Sequence, residues 1–112
     1  MAEKIRVLIV DDNEDTRDGT RRLLEYDDDV EIVGFAENGQ VAVDLVAEYD
    51  PHVILMDINM PVMNGIEATQ IITQRNPNSK VVIVSVQDDP NYLRSAQRAG
   101  AIDSVPKPIT SD

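Results

Sequence analysis

Five side chains in this 112-residue sequence could do chemistry together: the carboxylates of Asp11, Asp12 and Asp57, the hydroxyl of Ser85 and the ammonium of Lys107. Each alone has a plain reading. Asp57 ends the apolar run of HVILMDINMPVMNG (residues 52–65), and a strand that stops at an aspartate fits a turn as well as a reactive edge. The Asp11-Asp12 pair fits a helix cap, Ser85 a satisfied strand hydroxyl, and Lys107 between two prolines a solvated edge-strand residue. Convergence would change all four readings. Three carboxylates in one crevice repel one another, and a hard, oxygen-seeking divalent ion such as Mg2+ relieves that repulsion while keeping some of its waters. A lysine beside the ion would neutralise a phosphoryl group, and a serine hydroxyl would hydrogen-bond to one of its oxygens.

The elements that carry these residues repeat in a single rhythm. Ile5 to Val10 is a β-branched run that turns acidic within one residue, and a helix from about Glu14 to Tyr26 follows, capped by Asn13 or Asp12. Val30 to Phe35 reads as a second strand. After Asn38-Gly39, Val41, Ala42, Leu45 and Val46 recur at helical spacing up to Tyr49. Val53 to Asp57 is a third strand. A loop through Pro61 and Gly65 leads to a helix with Ile66, Ala68 or Thr69, Ile71 and Ile72 on one face, stopped by Asn76-Pro77-Asn78. Lys80 to Val86 is a fourth strand, Asp88-Asp89 caps a helix with Pro90 in its first position, and Gly100 closes it. Ala101 to Val105 is a short fifth strand, ended by Pro106-Lys107-Pro108.

Four βα units and a last strand imply a doubly wound α/β domain with a five-stranded parallel sheet, since parallel neighbours need helical crossovers of fixed hand. All five chemical residues then fall at the carboxyl ends of strands one, three, four and five, the edge where open α/β sheets bind ligands. Composition narrows the class further. A hydrophobic content of 42% supports one compact core, and the absence of cysteine removes disulfides and thiolate metal sites. A formal charge of −11 argues against direct nucleic-acid binding by this segment. No apolar run approaches a membrane span and no signal-peptide pattern opens the chain, so a cytoplasmic protein without membrane contact is expected. His52, the only histidine, reads as a surface residue, and Met56, Met60 and Met63 as core and loop filler.

Four pieces in order, VLIVDDNEDTR, VILMDINMPVMNGIEA, VVIVSV and VPKP, resemble the receiver domains of two-component response regulators, in particular chemotaxis-regulator-like ones, and the likeness covers essentially the whole chain. The resemblance implies a flavodoxin-like strand order 2-1-3-4-5 and a phosphoacceptor at Asp57, supplied by a sensor histidine kinase or phosphotransfer protein. It implies Mg2+ held by Asp12 and Asp57, by the backbone carbonyl of Asn59, and by Asp11 through a water, with Ser85 and Lys107 on the phosphoryl oxygens. It also implies a fused or separate output domain, homodimerisation on phosphorylation, and no enzymatic turnover beyond self-phosphorylation from a phosphodonor and self-dephosphorylation. Two departures stand out. Ser104 occupies the position, three before Lys107, where the family carries an aromatic switch residue, and the chain stops at Asp112, before the family's fifth helix. The expectation is therefore one receiver domain over residues 1–112, truncated before its last helix. A receiver-like interaction domain that no longer cycles phosphate is the alternative. An aspartyl phosphohydrolase is disfavoured, because such enzymes want an acid two residues after the nucleophile and this chain has Asn59.

Overall fold

The computed structural model describes residues 3–86 and 90–107. Its elements run β1 (Ile5–Val10), α1 (Glu14–Glu25), β2 (Val30–Ala36), α2 (Gly39–Tyr49), β3 (Val53–Met56), α3 (Gly65–Arg75), β4 (Lys80–Ser85), α4 (Pro90–Ala99) and β5 (Asp103–Pro106). All strand pairs are parallel, in the order β2-β1-β3-β4-β5, which is the expected doubly wound arrangement.

Alternation along the strands divides the core. Leu8, Val10, Ile54, Met56, Val81 and Ile83 face a cluster completed by Ala42 and Val46 of α2, Ala68 and Ile72 of α3 and Ala96 of α4. On the other face α1 packs against β1 and β2, where Val7 and Ile9 are buried, while Leu55 and Val82 are half-buried. The helices begin where short polar side chains can hold the first free backbone donors. Asn13, Asn38 and Asn64 each accept a hydrogen bond from the residue three positions on, Thr16, Val41 and Glu67, at 2.9–3.0 Å. Asn13 is thus the cap of α1, not Asp12. The expected Asp88-Asp89 cap lies outside the described residues, although Pro90 does open α4.

Every strand but the first departs from expectation by one or two residues at an end, and for β3 and β5 the hydrogen bonding shows why. β3 ends at Met56, so Asp57 stands just beyond the strand while its N–H still donates to Val10 O at 3.0 Å. β5 starts at Asp103; Ala101 stays outside it because its N–H is spent on Ala96 O in closing α4, while the Ile102 N–H already reaches Val81 O of β4. β5 also runs through Pro106, which an edge strand tolerates since a ladder donor is dispensable there.

Candidate functional site

β1 and β3 are neighbours paired from Val7↔Val53 to Val10↔Met56, so the residues after them, Asp11 and Asp57, leave the sheet side by side. Both are buried, at 4% and 7% exposure. Charged groups are kept in such places only when satisfied. Asp11 is held four ways: its N–H donates to Ala36 O (3.0 Å), its Oδ1 accepts from the N–H of Asn13 (2.9 Å), its Oδ2 lies 2.6 Å from Lys107 Nζ, and its carbonyl accepts from Arg17 Nη1 (2.6 Å). Asp57 Oδ1 accepts from the N–H of Ile58 (2.9 Å) and lies 3.3 Å from the same Lys107 Nζ. Asp12 is exposed, and among the described residues nothing hydrogen-bonds to its carboxylate. One oxygen from each of Asp11, Asp12 and Asp57 fits within a 4.8 Å span.

The loop after β3 is pressed into place by a residue without a side chain. A Cβ on Gly65 would sit 1.8 Å from Asp57 O, so only glycine lets α3 start against the backbone of Asp57. The Gly65 N–H donates to Ile58 O at 2.8 Å, closing the loop that carries Asn59.

The electrostatics follow from the packing. Burial pushes the Asp57 carboxyl above its usual range, Lys107 opposes this, and the negative charge of Asp11 adds to it. For Lys107, burial works to lower the ammonium, but the hydrogen bond to Asp11 and the charges of Asp57 and Asp11 together raise it. Lys107 is therefore a firmly charged cation bridging two carboxylates. Among the described residues the carboxylates of Asp11, Asp12 and Asp57 offer oxygens within reach of one another, which suits a hard divalent ion and not a soft one.

The remaining sequence candidates are placed by the fold. Ser85, buried, ends β4 two residues beyond Ile83, the partner of Met56, and its carbonyl accepts from the Lys107 N–H at 3.1 Å. Asn59 stands on the exposed loop two residues past Asp57. Ser104 is exposed on β5 opposite Ile83. It lines an open cavity of about 310 Å³ together with Ile83, Ser85, Val86, Leu93, Val105 and Pro106.

Two residues carry roles that sequence reasoning did not assign. Arg17 clamps the Asp11 carbonyl, a contact foreshadowed only by its place one turn after the Asn13 cap. His52 is exposed as expected, yet its Nδ1 accepts from the Arg6 N–H (2.9 Å) while its own N–H donates to Arg6 O, which starts the β1–β3 ladder.

The family model for the response regulator receiver domain matches residues 7–112. The transcriptional regulatory protein DegU of Brevibacillus brevis is 42% identical over 97% of this chain and 46% of its own length. A protein-glutamate methylesterase/protein-glutamine glutaminase of Carboxydothermus hydrogenoformans is 44% identical over 94% of this chain and 30% of its own. The chain thus spans half or less of these relatives. Among solved structures, the signal receiver domain of NarL from Mycobacterium tuberculosis superposes with a TM-score of 0.93 at 31% identity, over 97% of this chain and 88% of that one. The response regulator domain of Thermotoga maritima CheB does so with a TM-score of 0.88 at 38% identity, over 98% and 83%.

Proposed function

This chain belongs to the response regulator receiver domains, and from that premise we propose that Asp57 is its phosphoryl acceptor. Receiver domains of two-component systems act by taking up a phosphoryl group and switching an output, and the observation that supports Asp57 in that role is the lysine bridge. Lys107 Nζ lies within 3.3 Å of Asp57 and 2.6 Å of Asp11, beside the exposed Asp12. A cation so placed can neutralise a phosphoryl oxygen without moving far.

In the proposed transfer, the Asp57 carboxylate attacks the phosphorus of a phosphohistidine donor. The P–N bond breaks and its electron pair returns to the imidazole nitrogen. Asp57 Oδ1 is already occupied by the Ile58 N–H and Lys107, which orients the carboxylate and leaves Oδ2 for attack. Ser85 and Lys107 hold phosphoryl oxygens. Asp12 and Asp57, the Asn59 carbonyl, and Asp11 through a water would hold Mg2+, which when bound offsets the charge of the acids and of the incoming group. Little more than alignment and charge neutralisation is needed from the protein.

The donor in this reading is a sensor histidine kinase or a phosphotransfer protein in the cytoplasm, and the readout is an output domain or a homodimer formed on phosphorylation. No helix of the described residues is long and apolar enough to cross a membrane. The test is incubation with Mg2+ and acetyl phosphate followed by intact-mass measurement. The parent should gain one phosphoryl mass and Asp57→Asn none; uptake by the variant at the parent's rate would move the acceptor elsewhere.

A further inference from the structure

The three acids of the site are not equally well held. Asp11 has four hydrogen-bonding or ionic partners and Asp57 Oδ1 has two, whereas the carboxylate of Asp12 has none among the described residues. Its direction depends on the backbone that carries it. The carbonyl of Asp11 belongs to the peptide group joining Asp11 to Asp12, and Arg17 Nη1 donates to that carbonyl at 2.6 Å. The Arg17 N–H also donates to Asn13 O (3.0 Å), anchoring the guanidinium's own base on the first turn of α1. The turn 11–13 is thus pinned from the helix it leads into.

Resting on the reading of the acid cluster as a Mg2+ site, we infer that Arg17 is a positioning residue: by clamping the Asp11–Asp12 peptide it keeps the Asp12 carboxylate within ligand distance of Asp11 and Asp57. Groups behind a metal ligand act this way by fixing its orientation, and losing one costs roughly 10–100-fold in affinity. The sign of the effect separates this role from simple electrostatics. Arg17 makes no ion pair among the described residues, so its charge stands beside the cluster as a cation that repels another cation. If charge were its whole contribution, deleting it would tighten divalent-ion binding. If it positions Asp12, deleting it weakens binding.

The probe is Mn2+ alone, with free ion followed by electron paramagnetic resonance at a temperature where circular dichroism shows each protein folded. Arg17→Ala should raise the Kd for Mn2+ about tenfold, the lower part of the range for such partners. Arg17→Gln, which keeps a neutral N–H donor on a shorter arm and drops the charge, should weaken binding by less, and it serves as the readout if the alanine variant does not fold. Tighter or unchanged Mn2+ binding in the folded variants would overturn the inference while leaving the metal site standing. If the parent protein fails to deplete free Mn2+, the reading of the acid cluster falls and takes the inference with it.

Discussion

Asp11 and Asp57 follow β1 and β3, strands paired on both sides, whereas Ser104 lies on β5, paired only to β4. Around the first two, Leu8, Val10, Ile54 and Met56 are at most 2% exposed, and every polar atom of Asp11 that could wander is tied to a neighbour. Around Ser104, three of the four residues of β5 are exposed, α4 buries only Ala96, and an open cavity separates Leu93 from the strands. α4 is fastened at its far end, where Thr73 Oγ1 donates to Ala99 O at 2.7 Å. The two halves of one sheet edge are therefore built for different tasks. The phosphoryl chemistry proposed for Asp57 requires distances that do not drift, and packing fixes the backbone there. A switch requires two arrangements close in free energy, and regions of sparse burial supply them.

Lys107 joins the halves most directly, arriving from β5 and pairing with the acids that follow β1 and β3. Lys107→Ala would leave two buried carboxylates facing each other without a cation. Breaking a buried pair costs about 3 kcal/mol, roughly 12 °C or more in Tm for a domain of this size. Arg94→Ala, on the exposed surface of α4, should stay within about 0.5 kcal/mol. Equal effects of the two in thermal melts would mean that the acid half is not the more tightly specified one.

The same contrast explains how much the sequence disclosed. Strand and helix order, the parallel sheet and the gathering of Asp11, Asp12, Asp57, Ser85 and Lys107 at one edge were all legible, because apolar runs ending in polar residues record both burial and sheet edge. What was not legible depended on contacts between residues distant in sequence or on backbone geometry. The His52 bond to Arg6 spans 46 positions and leaves no trace in local pattern. The start of β5 was misplaced by two residues because it is set by how α4 closes, not by the residues of the strand. Nothing in the spacing of Arg17 along α1 says that its side chain turns back to a carbonyl.

A smaller effect concerns the cost of keeping a carboxylate in the rigid half. Asp57 is raised in the folded state, first by burial and then by Asp11, against the pull of Lys107. The folded protein therefore holds that proton to higher pH than the unfolded chain does, and stability falls as pH rises from the ordinary carboxylate range through the folded value. Above it the deficit is constant. Asp57→Asn removes the deficit, so the variant should melt higher than the parent at pH 7. The difference should close as pH is lowered below the ordinary carboxylate range, where Asp57 is protonated in both states. A difference independent of pH would show that the carboxylate charge is not the source.

The smallest effect, and the sharpest test of the looser half, lies at Ser104. Ser85 belongs to both regions, since it ends buried β4 and lines the cavity that Ser104 and Leu93 share. A phosphoryl group that draws the Ser85 hydroxyl toward Asp57 alters one wall of that cavity. An aromatic side chain on β5 would follow by filling the vacated volume, but serine is too small to transmit the change. The other wall is α4, whose N-terminal half is lightly packed and carries Leu93 with the exposed Tyr92 beside it. Phosphorylation can shift only an equilibrium whose two states differ in their contacts with the phosphoryl group, and α4 is the element with room to differ. Beryllofluoride with Mg2+ should accordingly move the backbone amide resonances of Ser85, Val86 and Asn91 to Leu93 more than those of Ile102 to Val105. Ser104→Phe, which refills the cavity from the β5 side, should shift the balance back toward β5. Larger shifts on β5 than on α4 in the parent protein would mean that the edge strand switches without an aromatic, and that the looseness of α4 serves another purpose.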